Sequence, residues 1–278
     1  MGKLPIKKSA GPPPMPPKPK KTFSVKRWSG EKEGEKVVVY ADSGMGKTTL
    51  VAQMTGMVFI GLDDGGSKIK NPITSEDLLY VPEVKSYQDV RDALQQIALF
   101  DDAKGVCIDT ATYLEMLAEP WLFSHVPNSK GQPVTNLKAY GWNEGYKHLY
   151  DAFSRILQDL DGLKRMGKHV ILICQADSHK IPYPGGEDYL KYGPRLYNGK
   201  PSNMAQVAEW ADHIFHIGYQ QFQVKERKAT GDTTRVIFAD GDVHFYAKSR
   251  TLRKPVISFD TPQDDSLWRF LLGDNYNG

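Results

Sequence analysis

Short apolar runs alternate along the middle of the chain with segments whose apolar residues repeat at helical spacing. Each apolar run is continuous, which is typical of a strand buried on both faces of a parallel sheet. The runs predict strands at residues 37–40, 57–62, 106–109, 169–174 and 214–218. The segments of helical period predict helices at residues 47–54, 86–100, 111–122, 142–165 and 204–210. This alternation indicates an α/β fold with a mainly parallel sheet flanked by helices.

A different period begins after residue 218. Residues 221–224, 234–239 and 243–247 alternate apolar and polar positions, as antiparallel strands with one exposed face do. Gly231-Asp232 and Asp240-Gly241-Asp242 are suited to the turns between these strands. The sequence therefore predicts antiparallel β-hairpins toward the C-terminus, followed by a last helix at residues 264–272.

The first 21 residues differ in composition from the rest of the chain. They are rich in proline and contain almost nothing that can pack, so we expect a disordered tail over residues 1–21 and one globular domain over residues 22–278. Residues 1–30 carry eight Lys and Arg and no Asp or Glu, although the net charge of the chain is only +3. Such a basic arm suits either a polyanionic partner, nucleic acid first, or a solvated tail that keeps the protein soluble.

The apolar runs are too short for a membrane protein. None approaches the roughly 18 residues that a membrane helix needs, and prolines stand where a signal peptide would have its apolar segment. Cys107 and Cys174 each lie in an apolar run, so we expect them to be core residues in a reducing compartment, and no Cys/His spacing suggests zinc. We therefore expect a cytoplasmic protein without a membrane partner.

The pattern that carries the most chemistry lies between the first strand and the first helix. It reads Ala41-Asp42-Ser43-Gly44-Met45-Gly46-Lys47-Thr48-Thr49. It matches the phosphate-binding loop G-x-x-x-x-G-K-[ST], except that Ala41 replaces the first glycine. In such a loop, backbone N–H groups surround the phosphates and a helix begins behind them. We expect Lys47 to reach the β- and γ-phosphates of ATP, Thr48 to ligate Mg²⁺ and Thr49 to contact the α-phosphate side.

Hydrolysis also needs a carboxylate near the metal ion and a group that handles the attacking water. Asp109 ends an apolar run and is the candidate for holding Mg²⁺; Thr110 follows it, so there is no acidic pair at this position. Asp63 and Asp64 follow the second strand and precede two glycines, which favours one of them as the base, Asp64 first, although D-G-G also suits a polar turn. Gln175 follows the strand at residues 169–174 and is either a sensor of the γ-phosphate or a polar strand-end residue.

In this order, the motifs resemble the RecA-like ATPase superfamily. The resemblance covers about residues 22 to 251 and is carried by V-V-V-Y-A-D-S-G-M-G-K-T-T-L, I-G-L-D-D-G-G-S, G-V-C-I-D-T, V-I-L-I-C-Q, W-A-D-H-I-F-H-I and Y-A-K-S-R-T. More narrowly, the chain resembles the phage-encoded RecA-like nucleotide-binding proteins of the Sak group of single-strand annealing recombinases. The first motif is specific to phosphate-binding loops in general. Each of the others is weak by itself, and their order along the chain supports the resemblance.

The resemblance implies roles for residues outside the phosphate-binding loop. It implies a base after the second core strand, which favours Asp63 or Asp64, and a glutamine that couples nucleotide state to a DNA-binding loop, which favours Gln175. It also implies that basic residues of a late β-hairpin, here Lys248 and Arg250, reach the ATP of a neighbouring subunit. The chain departs from the family in its alanine for glycine, in an Asp rather than a Glu base, and in lacking a recognisable N-terminal polymerisation domain. The last departure leaves ring and filament both open.

Two segments are candidates for DNA binding. Residues 124–143 contain no Asp or Glu, and residues 177–202, expected to be a long loop, interleave tyrosines with cations. The interleaved residues are Lys180, Tyr183, Tyr189, Lys191, Tyr192, Arg195, Tyr197 and Lys200. Aromatic rings and cations together suit single strands, on which they stack and neutralise charge. Tyrosines that only pack an ordered surface loop explain the pattern equally well.

From these features we predict a DNA-stimulated ATP hydrolase of phage recombination that binds single-stranded DNA. We expect a homo-oligomer with ATP and Mg²⁺ at its subunit interfaces, and a single-strand-binding protein as a further partner. The alternatives are a ring helicase or helicase loader of the same superfamily, and a nucleotide-binding assembly switch that does not turn over.

Overall fold

The continuous apolar runs form the centre of one sheet in the computed structural model of the protein. The structure describes residues 24–25, 27, 33–225, 228–274 and 276–277, and only the backbone of residues 64 and 221–233. The predicted tail over residues 1–21 lies outside the described residues, and its boundary with the globular domain stays a prediction.

Six neighbouring strands of the sheet run parallel, and two more strands extend it at one side, each antiparallel to the strand before it. The strands of the described chain are β1 Lys36–Ala41, β2 Met57–Gly61, β3 Leu79–Tyr80, β4 Gly105–Asp109, β5 His169–Ile181, β6 Tyr189–Pro194, β7 His213–Lys225, β8 Lys228–Phe238, β9 Lys248–Ser249 and β10 Val256–Ser258. Their order is β10-β8-β7-β1-β5-β4-β2-β3, with β6 paired to β5 and β9 to β7. This confirms the predicted α/β fold with antiparallel strands toward the C-terminus.

Helices cover both faces of this sheet. They are α1 Lys47–Ala52, α2 Tyr87–Gln95, α3 Ala111–His125, α4 Glu144–Arg165, α5 Asn203–Trp210 and α6 Ser266–Leu272. Strand β1 shows why the apolar runs are continuous: Val38 and Tyr40 pack into the core layer that contains α2 to α5, and Val37 and Val39 pack into the layer that contains α1 and α6. None of the helices in the described ranges has the length and apolar character needed to cross a membrane.

The parallel direction brings several strand ends together. Because parallel strands share one direction, the carboxyl ends of β1, β5, β4 and β2 lie at the same edge of the sheet. In the register, Ala41 lies opposite Gln175, and Asp109 lies opposite both Ile173 and Gly61. Residues far apart in the sequence therefore meet at this edge.

Several sequence-based predictions are wrong in detail. The turn predicted at Gly231-Asp232 does not form there, because both residues lie within β8 and pair with β7. Residues 177–202 are not a long loop, because β5 continues to Ile181 and pairs antiparallel with β6. The strand predicted at residues 243–247 does not form, and only Lys248–Ser249 pairs with β7. The Asp242 carboxylate accepts hydrogen bonds from the N–H groups of His244 (2.6 Å) and Phe245 (3.1 Å), which closes a turn instead of a ladder.

We expect Ser86→Ala to lower the free energy of unfolding by about 1 kcal/mol. At the start of α2, the Ser86 hydroxyl accepts a hydrogen bond from the Asp89 N–H (3.1 Å), and the Asp89 carboxylate accepts one from the Ser86 N–H (2.8 Å). The variant removes half of this capping box. Urea denaturation measures the loss, and Ser178→Ala, at an exposed position of β5, is the control. Equal stability of the two variants would contradict the role of the cap.

Candidate nucleotide-binding site

The loop between β1 and α1 has the shape of a phosphate-binding site. Gly44 and Gly46 have φ values of 79° and 93°, in the left-handed region that favours glycine. Within the described part of the chain, the N–H groups from Ser43 to Thr49 have no hydrogen-bond acceptor, whereas the Leu50 N–H already donates to the Gly46 carbonyl (2.8 Å). A row of unused donors in front of a helix fits a bound polyphosphate.

The Lys47 ammonium lies at the centre of this edge. The side chain is only 7% exposed. Its Nζ donates to the carbonyl oxygens of Ala41 (3.0 Å) and Asp42 (2.8 Å) and to the side-chain Oε1 of Gln175 (3.1 Å). Burial lowers the pKa of Lys47, and the charges of Asp109 and Asp42 partly offset this effect. The structure thus brings Lys47 and Gln175 together at the end of the loop.

Thr48 and Asp109 form the candidate magnesium site. The Thr48 hydroxyl donates to the Asp109 carboxylate at 2.7 Å. Burial raises the pKa of Asp109 to about 6, and the nearby charge of Asp63 adds to the effect. A carboxylate whose charge is poorly compensated, beside a hydroxyl oxygen, fits Mg²⁺. No group of three or more His, Cys, Asp or Glu side chains that could hold a metal ion occurs in the described ranges.

The two candidate bases stand at the end of β2. The Asp63 carboxylate accepts a hydrogen bond from the Gly65 N–H (3.0 Å) and caps the short 3₁₀ helix Asp64–Gly66. It is exposed and lines an open groove of about 550 Å³ together with Tyr80 and Tyr113, so water reaches it. The side chain of Asp64 lies outside the described residues. The choice between the two carboxylates stays open.

Lys248 and Arg250 lie far from the phosphate-binding loop of their own chain. Lys248 is in β9, opposite Ile214, near the amino end of β7 and therefore at the opposite edge of the parallel sheet. Burial lowers the pKa of Lys248, and the charge of Arg250 adds to this. The Arg250 Nε lies 3.2 Å from a carboxylate oxygen of Asp212. These cations therefore lie away from the phosphate-binding loop of their own chain.

Three side chains that the sequence did not assign to the site contact it. The Tyr192 hydroxyl of β6 donates to the Asp42 carboxylate. The Thr112 hydroxyl accepts from the Gln175 N–H (3.1 Å) and donates to the Arg195 carbonyl (3.0 Å). Arg235 of β8 donates to the Met45 carbonyl (3.3 Å). None of these residues belongs to a local motif, and only the pairing of distant strands brings them to the loop.

A protein-family model matches the chain. The model, described as an AAA domain, matches residues 33–251, which is most of the sequence. The chain belongs to this AAA domain family. It therefore has an AAA-type P-loop ATPase domain, with the α/β fold of a RecA-like core, and such ATPases generally bind ATP with Mg²⁺.

One solved structure similar to the AAA domain is the crystal structure of a KaiC-like protein from the hyperthermophilic archaeon Pyrococcus horikoshii OT3. The likeness covers 82% of this chain and 90% of that chain, at 14% sequence identity and a TM-score of 0.43. No protein of curated function matches the sequence of the AAA domain. The narrower resemblance to the Sak group stays a prediction.

We expect Asp109→Asn to stabilise the nucleotide-free AAA domain at pH 7.5. The pKa of Asp109 rises from 3.8 to about 6 on folding, so the folded state binds more protons between these values and stability falls as the pH rises through this window. Asparagine has no charge to desolvate and can still accept from Thr48. The free energy of unfolding should rise by up to about 3 kcal/mol at pH 7.5 and by less at pH 5.

Urea denaturation at both pH values measures this gain, and Asp102→Asn at an exposed position is the matched control. A variant as stable as the wild type at pH 7.5, or less stable, would show that the buried carboxylate carries no cost.

Proposed function

We propose that the AAA domain hydrolyses ATP in response to single-stranded DNA and acts as a homo-oligomer in phage recombination. The observation that supports ATP hydrolysis is the convergence of Lys47, Gln175, Thr48 and Asp109 at the carboxyl edge of the sheet, within hydrogen-bond distance in two pairs. A loop that bound phosphate without a metal ion would not need the second pair. ATP is therefore the proposed substrate and Mg²⁺ the cofactor.

Each side chain has a task in the proposed reaction. Bound Mg²⁺ would neutralise charge on the transferring phosphoryl group. Lys47 would exchange its carbonyl acceptors for phosphate oxygens, while Thr48 and Asp109 hold the ion. Asp63 or Asp64 would accept the proton of the attacking water, and the amide of Gln175 would orient groups around the γ-phosphate.

The position of Lys248 and Arg250 supports an oligomer. Their edge of the sheet is opposite to the phosphate-binding loop, so they cannot stabilise the phosphates bound by their own chain. A cation donated by a neighbour would make hydrolysis depend on assembly. We propose that ATP lies between subunits, in a ring or a filament.

Two exposed aromatic residues support the binding of single-stranded DNA. The Trp142 side chain is 97% exposed, within the segment that lacks acidic residues, and Tyr183 is 54% exposed near the tip of the β5–β6 hairpin. The Asn143 side chain donates to the Lys200 carbonyl at 3.0 Å, so the two candidate segments lie against each other. Exposed rings beside cations can stack on unpaired bases.

Not all of the tyrosines of residues 177–202 can serve this purpose. The Tyr192 hydroxyl is bound to Asp42, and the Tyr197 ring stacks on Tyr146 at 4.5 Å between centroids. Lys180 is paired with Asp188 at 2.9 Å. The proposed contact with DNA therefore narrows to Trp142, Tyr183 and the adjacent Tyr189.

We expect single-stranded DNA to increase the rate of ATP hydrolysis, and duplex DNA to increase it less. Phosphate release measured with no DNA, with single strands and with duplex tests this. Lys47→Ala should abolish turnover under all three conditions, whereas Lys147→Ala, at an exposed position of α4, should not. Trp142→Ala should reduce the stimulation without changing the rate in the absence of DNA.

The outcomes of this experiment separate the alternatives. Equal rates with and without DNA would contradict the proposed DNA dependence. Retention of an ATP analogue without turnover in any condition would favour an assembly switch. Separation of a forked duplex during turnover would favour a helicase.

We expect two inactive variants to restore hydrolysis when they are mixed. Arg250→Ala removes the cation that a subunit donates, and Lys47→Ala removes the phosphate-binding ammonium. Some interfaces in a mixed oligomer combine an intact Lys47 with an intact Arg250, so turnover should exceed that of either variant alone. Arg250→Ala mixed with the double variant Lys47→Ala/Arg250→Ala is the control, because no interface is then complete. A mixture no more active than Arg250→Ala alone would rule out catalysis across the interface.

A further inference from the structure

The residues proposed for hydrolysis all lie on one side of the phosphate-binding loop. At the carboxyl edge, β1 stands between β5 and β7. Gln175 is in β5, Asp109 ends β4 and Asp63 follows β2, so the terminal phosphate belongs on the β5 side of the loop. The nucleoside at the other end of the triphosphate is then directed toward β7 and β8.

Arg235 occupies this opposite side. It lies in β8 opposite Tyr219 of β7. Pairing of β7 with β1 ends at His216, so Tyr219 and Arg235 lie beyond the end of that pairing. Strand β10, which leads to Phe259 and Asp260, pairs with β8 and ends at the same edge. The residues after β10 and Arg235 thus lie beside the phosphate-binding loop.

The guanidinium of Arg235 is held in a fixed plane. One nitrogen, Nη1, donates to the Met45 carbonyl in the loop, and the other, Nη2, donates to the Asp260 carbonyl, both at 3.3 Å. One face of the group lies over the ring of Phe259, at 5.1 Å from its centroid. Phe259 is fully buried, whereas Arg235 is only half-buried. The exposed part of the guanidinium is therefore away from Phe259.

This pair directly contacts the loop at Gly46. A Cβ atom at Gly46 would lie 3.0 Å from Arg235 Nη1 and 3.1 Å from the ring carbon Cε1 of Phe259. Gly46 precedes α1, whose first residues Lys47 and Thr48 face the phosphates. A nucleotide held by the loop would therefore have its nucleoside within reach of Arg235.

We propose that Arg235, supported by Phe259, is the platform on which the base of the bound nucleotide stacks. A planar guanidinium stacks on aromatic rings, and a purine or pyrimidine base offers such a face. Arg235 is then a specificity-determining residue, which makes the site prefer a nucleoside triphosphate over an inorganic one. This inference rests on the proposed function, because it places the base of the same ATP.

Calorimetric binding of ATP and of inorganic tripolyphosphate, both with Mg²⁺, to the full chain tests the proposal. The wild type should bind ATP more tightly. Arg235→Ala should weaken ATP binding about tenfold and leave tripolyphosphate binding unchanged. Arg235→Lys keeps the charge without the planar face and should resemble Arg235→Ala. Arg165→Ala, at an exposed position at the end of α4, should match the wild type for both ligands.

Other results would overturn the proposal. If Arg235→Ala weakened the binding of both ligands equally and Arg235→Lys restored it, the charge of Arg235 would act on the phosphates. If both affinities fell equally and Arg235→Lys did not restore them, Arg235 would only hold the loop in shape through its contact with Met45. Unchanged ATP binding in both variants would exclude any contact with the base.

The control for the proposed function is separate. A wild type that binds neither ligand would refute the nucleotide site itself. Binding of tripolyphosphate that is lost in Lys47→Ala, with no preference for ATP, would keep the phosphate site and refute only the role of Arg235. Circular dichroism of each variant shows whether it is folded. If Arg235→Ala does not fold, Arg235→Lys still tests the proposal.

Discussion

The buried ammonium of Lys47 is the interaction on which the rest of the site depends. Taking a cation out of water is costly unless its N–H groups find acceptors. Here the acceptors are two carbonyls at the end of β1 and the Gln175 side chain at the end of β5. The charge therefore holds two strand ends together, and it stays where phosphate oxygens can replace the protein acceptors.

The Asp109 carboxylate lies at the same edge of the sheet, and its negative charge is not fully compensated. Burial beside Asp63 raises the pKa of Asp109 to about 6, so its charged form costs folding free energy in the absence of a cation. A divalent ion would remove this cost, and folding and binding are then linked. Functional sites of this kind reduce stability in order to favour a ligand.

Two hydrogen-bonded connections lead from the phosphate-binding loop to the β5–β6 hairpin. One joins Tyr192 of β6 to Asp42, and the other joins Lys47 to the side chain of Gln175 in β5. The Gln175 N–H donates in turn to the Thr112 hydroxyl, which donates to the carbonyl of Arg195, directly after β6. The hairpin also carries the exposed Tyr183. A change in the acceptors around Lys47 and Gln175 therefore has a direct physical route to the segment proposed to bind DNA.

The sequence by itself determined the features that depend on local order. The continuous apolar runs predicted buried parallel strands, and the G-M-G-K-T segment predicted a loop between the first strand and the first helix. Only the tertiary structure decided that residues 189–194 form a strand against β5, that Lys248 and Arg250 lie at the far edge, and that Arg235 contacts Met45 across 190 residues of sequence. Strand pairing sets these positions, because it depends on the register and direction of distant segments, and a local pattern of apolar and polar residues contains neither.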